Sequence, residues 1–377
     1  MSRPVIMQVI PELGAGGAEQ GCIDVAETLV KAGARSIVVS HGGHRVPELD
    51  RFGAEHIDLP VHSKNPLVMM GNTKKLKSII QQEGVNIVHV RSRAPAWSCF
   101  KACQNTAAHF MTTCHAPYNI TGNLKKKYNS VMAKGERVIA ISHYVANYLR
   151  ENYDLDDEQI RIIPRGIPLD KFHPKMLGPK KMIDLLKEWR LPEGARIILM
   201  PGRLTRWKGH HVLIDAMSQV SVKDTYCVMI GDDQGRKEYR RELETLIEEK
   251  GLGENVRTID HCHDMPAAYM MAEVVVSASI EPEGFGRVPV EAQAMGCPIV
   301  ATNHGGAQET VIPNETGFLV EPGNAEEMAI AIRKILFMSS QEKAVMSTKG
   351  MANAAHNFSK ELMMERTLDV YEELLVA

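Results

Sequence analysis

Residues 277–306 read SASIEPEGFGRVPVEAQAMGCPIVATNHGG, and the fold turns on how they are parsed. The run that leads into them, EVVVSAS (273–279), is apolar and β-branched, which predicts a buried strand ending near Ser277. Glu283-Gly284-Phe285-Gly286 then predicts a glycine-broken turn. A short helix follows, with Pro289 suited to its first turn, Ala292, Ala294 and Met295 inside it, and Gly296 closing it as C-cap. Residues 298–302 predict a second strand that delivers the chain to Gly305-Gly306. Ligands of open α/β sheets bind at the carboxyl ends of the strands. This parse puts Glu283 there, in the turn, and Glu291 in the first turn of the helix. A carboxylate in that place can accept from a sugar diol, and a Gly-Gly pair ahead of a helix can offer N–H groups to phosphate oxygens. The same residues admit a plainer reading, in which Glu291 complements the helix dipole and Glu283 is a solvated loop acid.

Upstream, the strand pattern RIILMPG (196–202) runs into RLTRWKGHHVLIDAM (203–217). Arg203 and Lys208 stand five apart across that strand-to-helix turn, so both side chains can converge at the sheet edge. A forked guanidinium and a mobile ammonium suit phosphate oxygens, although a basic turn can equally be solvated surface. At the N-terminus, VIMQVI, the turn PELGAGGAEQ and an amphipathic helix over 18–32 form a strand, glycine loop, helix unit. Gly14, Gly16 and Gly17 would let backbone approach a ligand. The loop is not G-x-G-x-x-G, and the next strand, SIVVSH, ends in His41 rather than an acid for a ribose, which argues against an NAD enzyme. Strand-like runs at 85–92, 109–115, 137–142 and 160–164 alternate with helical stretches near 76–82, 96–104 and 144–152, and predict a parallel doubly wound sheet. His115 follows one of these strands, a place where histidines are also structural. Helices are expected over 325–338, 341–355 and 360–375.

The 377 residues, 44% hydrophobic and 24% charged, suffice for two α/β domains of ordinary size. No apolar run approaches the roughly 18 residues of a spanning helix, and Met1 to Arg3 lead straight into a strand, so a cytoplasmic protein is expected. Seven cysteines without a C-x-x-C pair fit reduced thiols. His261, Cys262 and His263 are adjacent and point in different directions, so no metal site is expected. The net charge of −2 hides a split: residues 1–165 hold 20 Lys and Arg against 15 acids, the remainder 24 against 31. Lys125, Lys126, Lys127 and Lys134 form the strongest basic cluster, which either docks on anionic lipid or phosphate or is a solvated helix face.

E-x7-E within PEGFGRVPVEAQAMGCPIVAT, followed by Gly-Gly and Glu309, together with G-R-x4-K-G at Gly202, Arg203, Lys208 and Gly209, resembles the nucleotide-binding signature of family 4 retaining glycosyltransferases. The resemblance extends over nearly the whole chain. It implies the α/β GT-B fold: two facing Rossmann-like domains with parallel sheets and an interdomain active-site cleft. The first domain would span 1–170, completed by a C-terminal helix at 358–377, and the second 171–357. Segment 160–174, with Pro164, Gly166, Pro168 and Pro174, resembles the linker between them, although Arg165 and Pro168 stand where the family usually has Asn and Asp. Asp233 and Asp260 likewise stand where it tends to have Gly.

The activity implied is retaining, metal-independent transfer of a hexose-type sugar from a UDP- or GDP-linked donor. The acceptor would be a hydroxyl of a glycan or glycolipid, in lipopolysaccharide or surface polysaccharide synthesis. Glu291 would hold the ribose, Glu283 the donor sugar, and Arg203 with Lys208 the pyrophosphate. Phe285 and Gly286 would line the donor, Gly16, Gly17, Gly305 and Gly306 would offer backbone donors, and His115 would orient the sugar. No cofactor beyond the nucleotide-sugar substrate and no nucleic-acid partner is expected. Peripheral contact with the inner face of the plasma membrane would run through Lys125, Lys126 and Lys127. Two rivals are a nucleotide-sugar epimerase of the same shape and a non-catalytic sugar-nucleotide-binding protein; intact Arg203, Lys208, Glu283 and Glu291 argue against both.

Overall fold

The structure, a computed structural model, describes residues 3–376. The chain forms two compact units, Met1–Pro164 with Glu361–Ala377, and Arg165–Lys360. Both are α/β, each built on one all-parallel sheet of Rossmann type.

Unit 1 runs β1 (Val5–Val9), α1 (Gly17–Lys31), β2 (Arg35–Ser40), α2 (Val46–Phe52), β3 (Glu55–Asp58), α3 (Pro66–Glu83), β4 (Ile87–Val90), α4 (Arg93–Cys103), β5 (His109–Cys114), α5 (Asn123–Asn129), β6 (Arg137–Ala140), α6 (His143–Tyr153) and β7 (Ile160–Ile162). Its strand order is 3-2-1-4-5-6-7. β1 and β4 are buried along their whole length, as expected of strands covered on both faces. Val5, Met7, Val9, Val88 and Val90 pack on α3, α4 and a 3-10 turn at Ser130–Ala133. Ile6, Ile87, Met111 and Ile139 face the other way, onto α1 and the last helix of the chain, Lys360–Leu375. That helix is fastened by ion pairs as well as by its apolar stripe: Glu373 receives Arg161 at 2.6 Å and Arg137 at 2.8 Å. The two guanidiniums hold its carboxyl down at about 2. Tyr371 reaches the buried ring of His89 at 2.6 Å.

Unit 2 continues with α7 (Pro179–Glu188), β8 (Arg196–Pro201), α8 (His210–Met217), β9 (Thr225–Ile230), α9 (Lys237–Glu249), β10 (Val256–Ile259), α10 (Met265–Met271), β11 (Ala272–Ser277), α11 (Arg287–Ala294), β12 (Ile299–Thr302), α12 (Ala307–Thr310), β13 (Gly317–Val320), α13 (Ala325–Leu336) and α14 (Ser340–Asn357). The chain closes with α15, the Lys360–Leu375 helix of unit 1. The order of the second sheet is 10-9-8-11-12-13. The division expected at 170/171 falls at Pro164/Arg165. Residues just past it are stitched into unit 2: Ile167 N donates to Phe358 O, and Lys360 N to Ile167 O, each at 2.9 Å. Gly166 lies so close to the Ser359–Lys360 backbone that a Cβ would collide there.

Candidate functional site

The strand order of unit 2 reverses between β8 and β11, which pair side by side with Leu199 opposite Val275. Chains leaving a parallel sheet on opposite sides of such a point open a crevice at the strand ends. After β8 the chain passes through Gly202 and Arg203 into a 3-10 turn, Arg206–Lys208; after β11 it runs through Ser279 to Glu283. The two segments are tied together. Ile280 N donates to Trp207 O at 2.7 Å. Gly209, at φ +74°, packs onto Ala278, whose carbonyl oxygen occupies the space a Cβ would need, so only glycine fits on both counts.

Lys208 folds back over this turn, its stem against Gly202 and its ammonium 4.7 Å from the centre of the Trp207 ring. The ammonium meets Glu283 Oε1 at 2.7 Å, and the same oxygen accepts from Ser279 Oγ at 2.6 Å. Lys208 and Glu283, 75 residues apart in the chain, are both mostly buried. Arg203, next to Gly202, is exposed and has no hydrogen-bond or ion-pair partner among the described residues. Beneath the turn, His210 is fully buried with Nε2 3.3 Å from Gly202 O. Burial pushes its pKa down to about 4, so the ring is neutral at physiological pH and Nε2–H can donate to that carbonyl.

Glu291 differs from the expectation in two ways. α11 begins at Arg287, after Gly286 in the left-handed region (φ +77°), so Glu291 lies in the second turn rather than the first. It is also a buried residue, 9% exposed, and not a side chain standing in solvent. Tyr269 OH donates to its Oε2 at 2.8 Å and Arg287 to its Oε1 at 2.7 Å. A carboxylate has about four acceptor positions, so two remain for a ligand hydroxyl. Tyr269 itself is fully buried and its hydroxyl is held far above its usual pKa by burial, then by the neighbouring carboxylate. Gly296, expected as C-cap, sits one residue beyond the cap Met295, at φ +72°.

Two further expectations are corrected. Phe285 does not present its ring to a ligand: it is 4% exposed and packs edge-on against Phe358, 5.6 Å between centroids. Gly306 does not offer its amide, because that N–H donates to Glu283 O at 2.9 Å. Gly305, at φ +57°, backs onto Glu283, and Gly306 onto Phe285. The Gly-Gly pair therefore allows two loops to touch and fixes the backbone that carries Glu283. Ser279 O is held from the same side, by Thr302 Oγ1 at 2.8 Å and His304 Nε2 at 2.7 Å.

In unit 1, Gly16 caps α1 at the reversal between β1 and β4, and Gly17 is its first residue. The carboxylate of Glu19 lies over Gly16, where a bound anion would sit at this helix N-terminus. His115 follows β5 and is half-buried. In the loop after β5 Tyr118 is stacked by Arg93, 4.3 Å from the ring centre. Lys125, Lys126 and Lys127 are exposed on α5.

Sequence reasoning missed Tyr269, Ser279, His210 and Arg287. Arg287 was findable, standing four residues before Glu291 on a helix. Tyr269 carried no local signal, since it meets Glu291 from another helix 22 residues away, whereas His210 directly follows Lys208-Gly209 and meets Gly202 only eight residues upstream.

Comparison with known proteins bears on family and fold. The family model for glycosyl transferases group 1 matches residues 182–351, and that for glycosyltransferase family 4 matches 15–171. A glycosyltransferase from Rickettsia africae ESF-5 is 40% identical, with a TM-score of 0.93 over 100% of this chain and 99% of that one. Spore coat protein SA of Bacillus subtilis is 26% identical over 78% of this chain and 80% of its own length. A D-inositol 3-phosphate glycosyltransferase of Salinispora tropica is 29% identical over 64% of this chain, and the match spans about half, 52%, of that relative. Anabaena Alr3699/HepE, solved with UDP and glucose, superposes with a TM-score of 0.84 over 98% of this chain and 100% of its own, at 22% identity, a level at which the likeness shows the fold alone. The chain belongs to the family 4, group 1 glycosyltransferases and has their GT-B architecture of two Rossmann-like units.

Proposed function

We propose that the protein is a retaining, metal-independent glycosyltransferase that takes a sugar from a UDP-linked donor to a hydroxyl of a glycan or glycolipid, in lipopolysaccharide or surface polysaccharide synthesis. The reading includes a cytoplasmic location; no helix among the described residues is long and apolar enough to cross a membrane. The observation that carries it is the meeting of Lys208 and Glu283 at the sheet reversal, on the turn that also carries Arg203, which has no partner among the described residues. Two cations against one carboxylate leave a net positive turn, suited to a diphosphate that gains charge as it leaves. In this reading Glu291 accepts from the ribose hydroxyls, and Glu283 faces the transferred sugar, which His115 orients. The anomeric C–O bond to the diphosphate breaks, and the acceptor oxygen bonds to the same carbon on the face just vacated. Its proton passes to a diphosphate oxygen, so charge and atoms balance without another reagent.

The experiment separates the two glutamates. Glu291→Gln removes the charge but keeps a partner for Tyr269, and should weaken UDP by about 10- to 150-fold, the equivalent of ~1.5–3 kcal/mol for a hydrogen bond to a charged group. Glu283→Ala frees the Lys208 ammonium for the diphosphate, so UDP should bind as tightly as before or severalfold tighter, while kcat falls sharply. Calorimetry with UDP, beside turnover of the donor, reads both. Equal losses of UDP affinity in the two variants would defeat the assignment.

A further inference from the structure

Arg91 stands one residue past β4 in unit 1 and is 4% exposed, a cation taken almost wholly out of water. Such a charge is costly unless an acid answers it. Arg35, Arg45, Arg161, Arg196 and Arg240 are all more exposed, and each meets a carboxylate. Arg91 meets none among the described residues: its Nε donates to Gln8 Oε1 at 2.6 Å, and Tyr371 OH is its other side-chain partner. No nitrogen of Arg91 is both sealed and without a partner, so what these two groups leave over of the fork opens to water.

The surrounding groups that could ionise do not supply the missing charge. Burial pushes the Cys22 thiol up to about 11 and holds the Tyr371 hydroxyl well above its usual range, so neither is an anion at neutral pH. His89, whose Nδ1 meets Tyr371 OH and whose Nε2 meets Thr113 Oγ1, each at 2.6 Å, is kept neutral by burial first and then by Arg91 and His115. Glu19 and Asp24 of α1 also act on Cys22, but neither pairs with Arg91: the Glu19 carboxylate lies over Gly16, and Asp24 accepts from Gln20 Nε2 at 2.9 Å. The place itself is one where ligands bind, since β4 lies beside β1 where the order of the first sheet reverses. Val90 pairs with Thr112, which brings Arg91 level with Thr113, two residues before His115. A guanidinium fork fits the oxygens of a phosphate or a carboxylate. In the proposed reading Arg203 and Lys208 already serve the donor diphosphate, so the anion that Arg91 lacks belongs to the other substrate.

We propose that Arg91 binds an anionic group of the acceptor, a phosphate or a carboxylate, so that the acceptor is a charged glycan rather than a neutral one. The inference rests on the transferase reading for the word acceptor, and on unit 1 alone for the site. The test is calorimetry of the full chain with glucose 6-phosphate, glucuronate and glucose as probes. At least one of the charged sugars should bind about tenfold or more tighter than glucose, the least that a hydrogen bond to a charged group is worth, and the stronger of the two tells phosphate from carboxylate. Arg91→Gln keeps an amide for Gln8 and should bind all three alike, while Arg91→Lys, which keeps the charge without the fork, should fall between. Because it removes an unanswered buried charge, Arg91→Gln should melt no lower than the parent in anion-free buffer. Inorganic phosphate should raise the melting temperature of the parent more than that of the variant. A parent that binds the three sugars alike would overturn the proposal, as would an Arg91→Gln that keeps the preference. An Arg91→Gln that melts far below the parent would overturn it too, since the guanidinium would then be answered within the fold. UDP titration of both variants should match the parent; a loss there would mean that Arg91 serves the donor instead. The sugar titrations use no donor, so their failure is distinct from failure of the roles given to Glu283 and Glu291.

Discussion

The loop after β1 in unit 1 and the turn after β8 in unit 2 occupy the same station in their sheets, yet they are built on different principles. Behind the unit 2 turn the backbone is tightly packed: Gly209 backs onto a carbonyl oxygen, His210 is sealed beneath it, and Lys208 is held by Glu283 and the Trp207 ring. Around Gly14 nothing lies within 4 Å of where a Cβ would be, and Gly16 is covered by the flexible end of Glu19. The contrast follows from what each end presents. Side chains that must meet a ligand in fixed geometry need partners to hold them. In the proposed reading the β1 loop would contribute backbone N–H groups, which need only glycine and space.

The largest effect should come from the glycines themselves. Gly209→Ala forces a Cβ into Ala278 O from a left-handed backbone, and should cost about 4 kcal/mol or prevent folding of unit 2. Gly14→Ala should change stability by no more than about 0.5 kcal/mol. Urea unfolding compares the two; similar costs would erase the contrast.

Acid should find the buried turn next. With a folded pKa of about 4 against about 6.5 unfolded, the His210 ring takes up its proton only on unfolding across that window. The unfolded state binds more protons there, so stability falls as pH drops from 6.5 toward 4, by up to about 3 kcal/mol from this group. Burial lowers the pKa of His89 in unit 1 in the same direction. His210→Gln should flatten the acid limb of the stability curve by that amount while leaving the His89 contribution intact. An unchanged limb would mean that His210 is reached by water in the folded protein.

Much of this was legible in the sequence wherever burial is two-sided. β11, α11 and β12 were readable because their apolar runs and glycines mark each boundary, and the same holds for β8 and the turn to Lys208. β3 gave no signal, since this edge strand, EHID, has no buried residue. Arg203 and Lys208 at a sheet edge and Glu283 at a strand end followed from the alternation; the meeting of Lys208 with Glu283 needed the strand order, which sets β8 beside β11. Orientation did not follow. Phe285 stands among motif residues but turns into the core toward Phe358, 73 positions later in the chain. Gly306 spends its N–H on a loop 23 residues upstream. Glu291 changed from surface acid to buried acceptor because Tyr269, on α10, closes over it.

The smallest effect tests the open side of the comparison. Glu19 is the acid in the first turn of α1, and its carboxylate faces the N–H groups around Gly16. A charge in that position interacts with the helix dipole by ~0.3–1 kcal/mol, and the interaction is screened by salt. Glu19→Gln should therefore lower stability by ~0.3–1 kcal/mol at low ionic strength and by much less at ~1 M salt, where the Debye length is ~3 Å. Removing the Glu291 charge, which is buried against Tyr269 and paired with the part-exposed Arg287, should show a weaker salt dependence, because partly buried pairs are screened less. Urea unfolding of both variants at two ionic strengths decides the matter. If the Glu19 loss persists in high salt, the β1 loop is locked by its carboxylate in the manner of the β8 turn, and the distinction between a held site and an open loop does not stand.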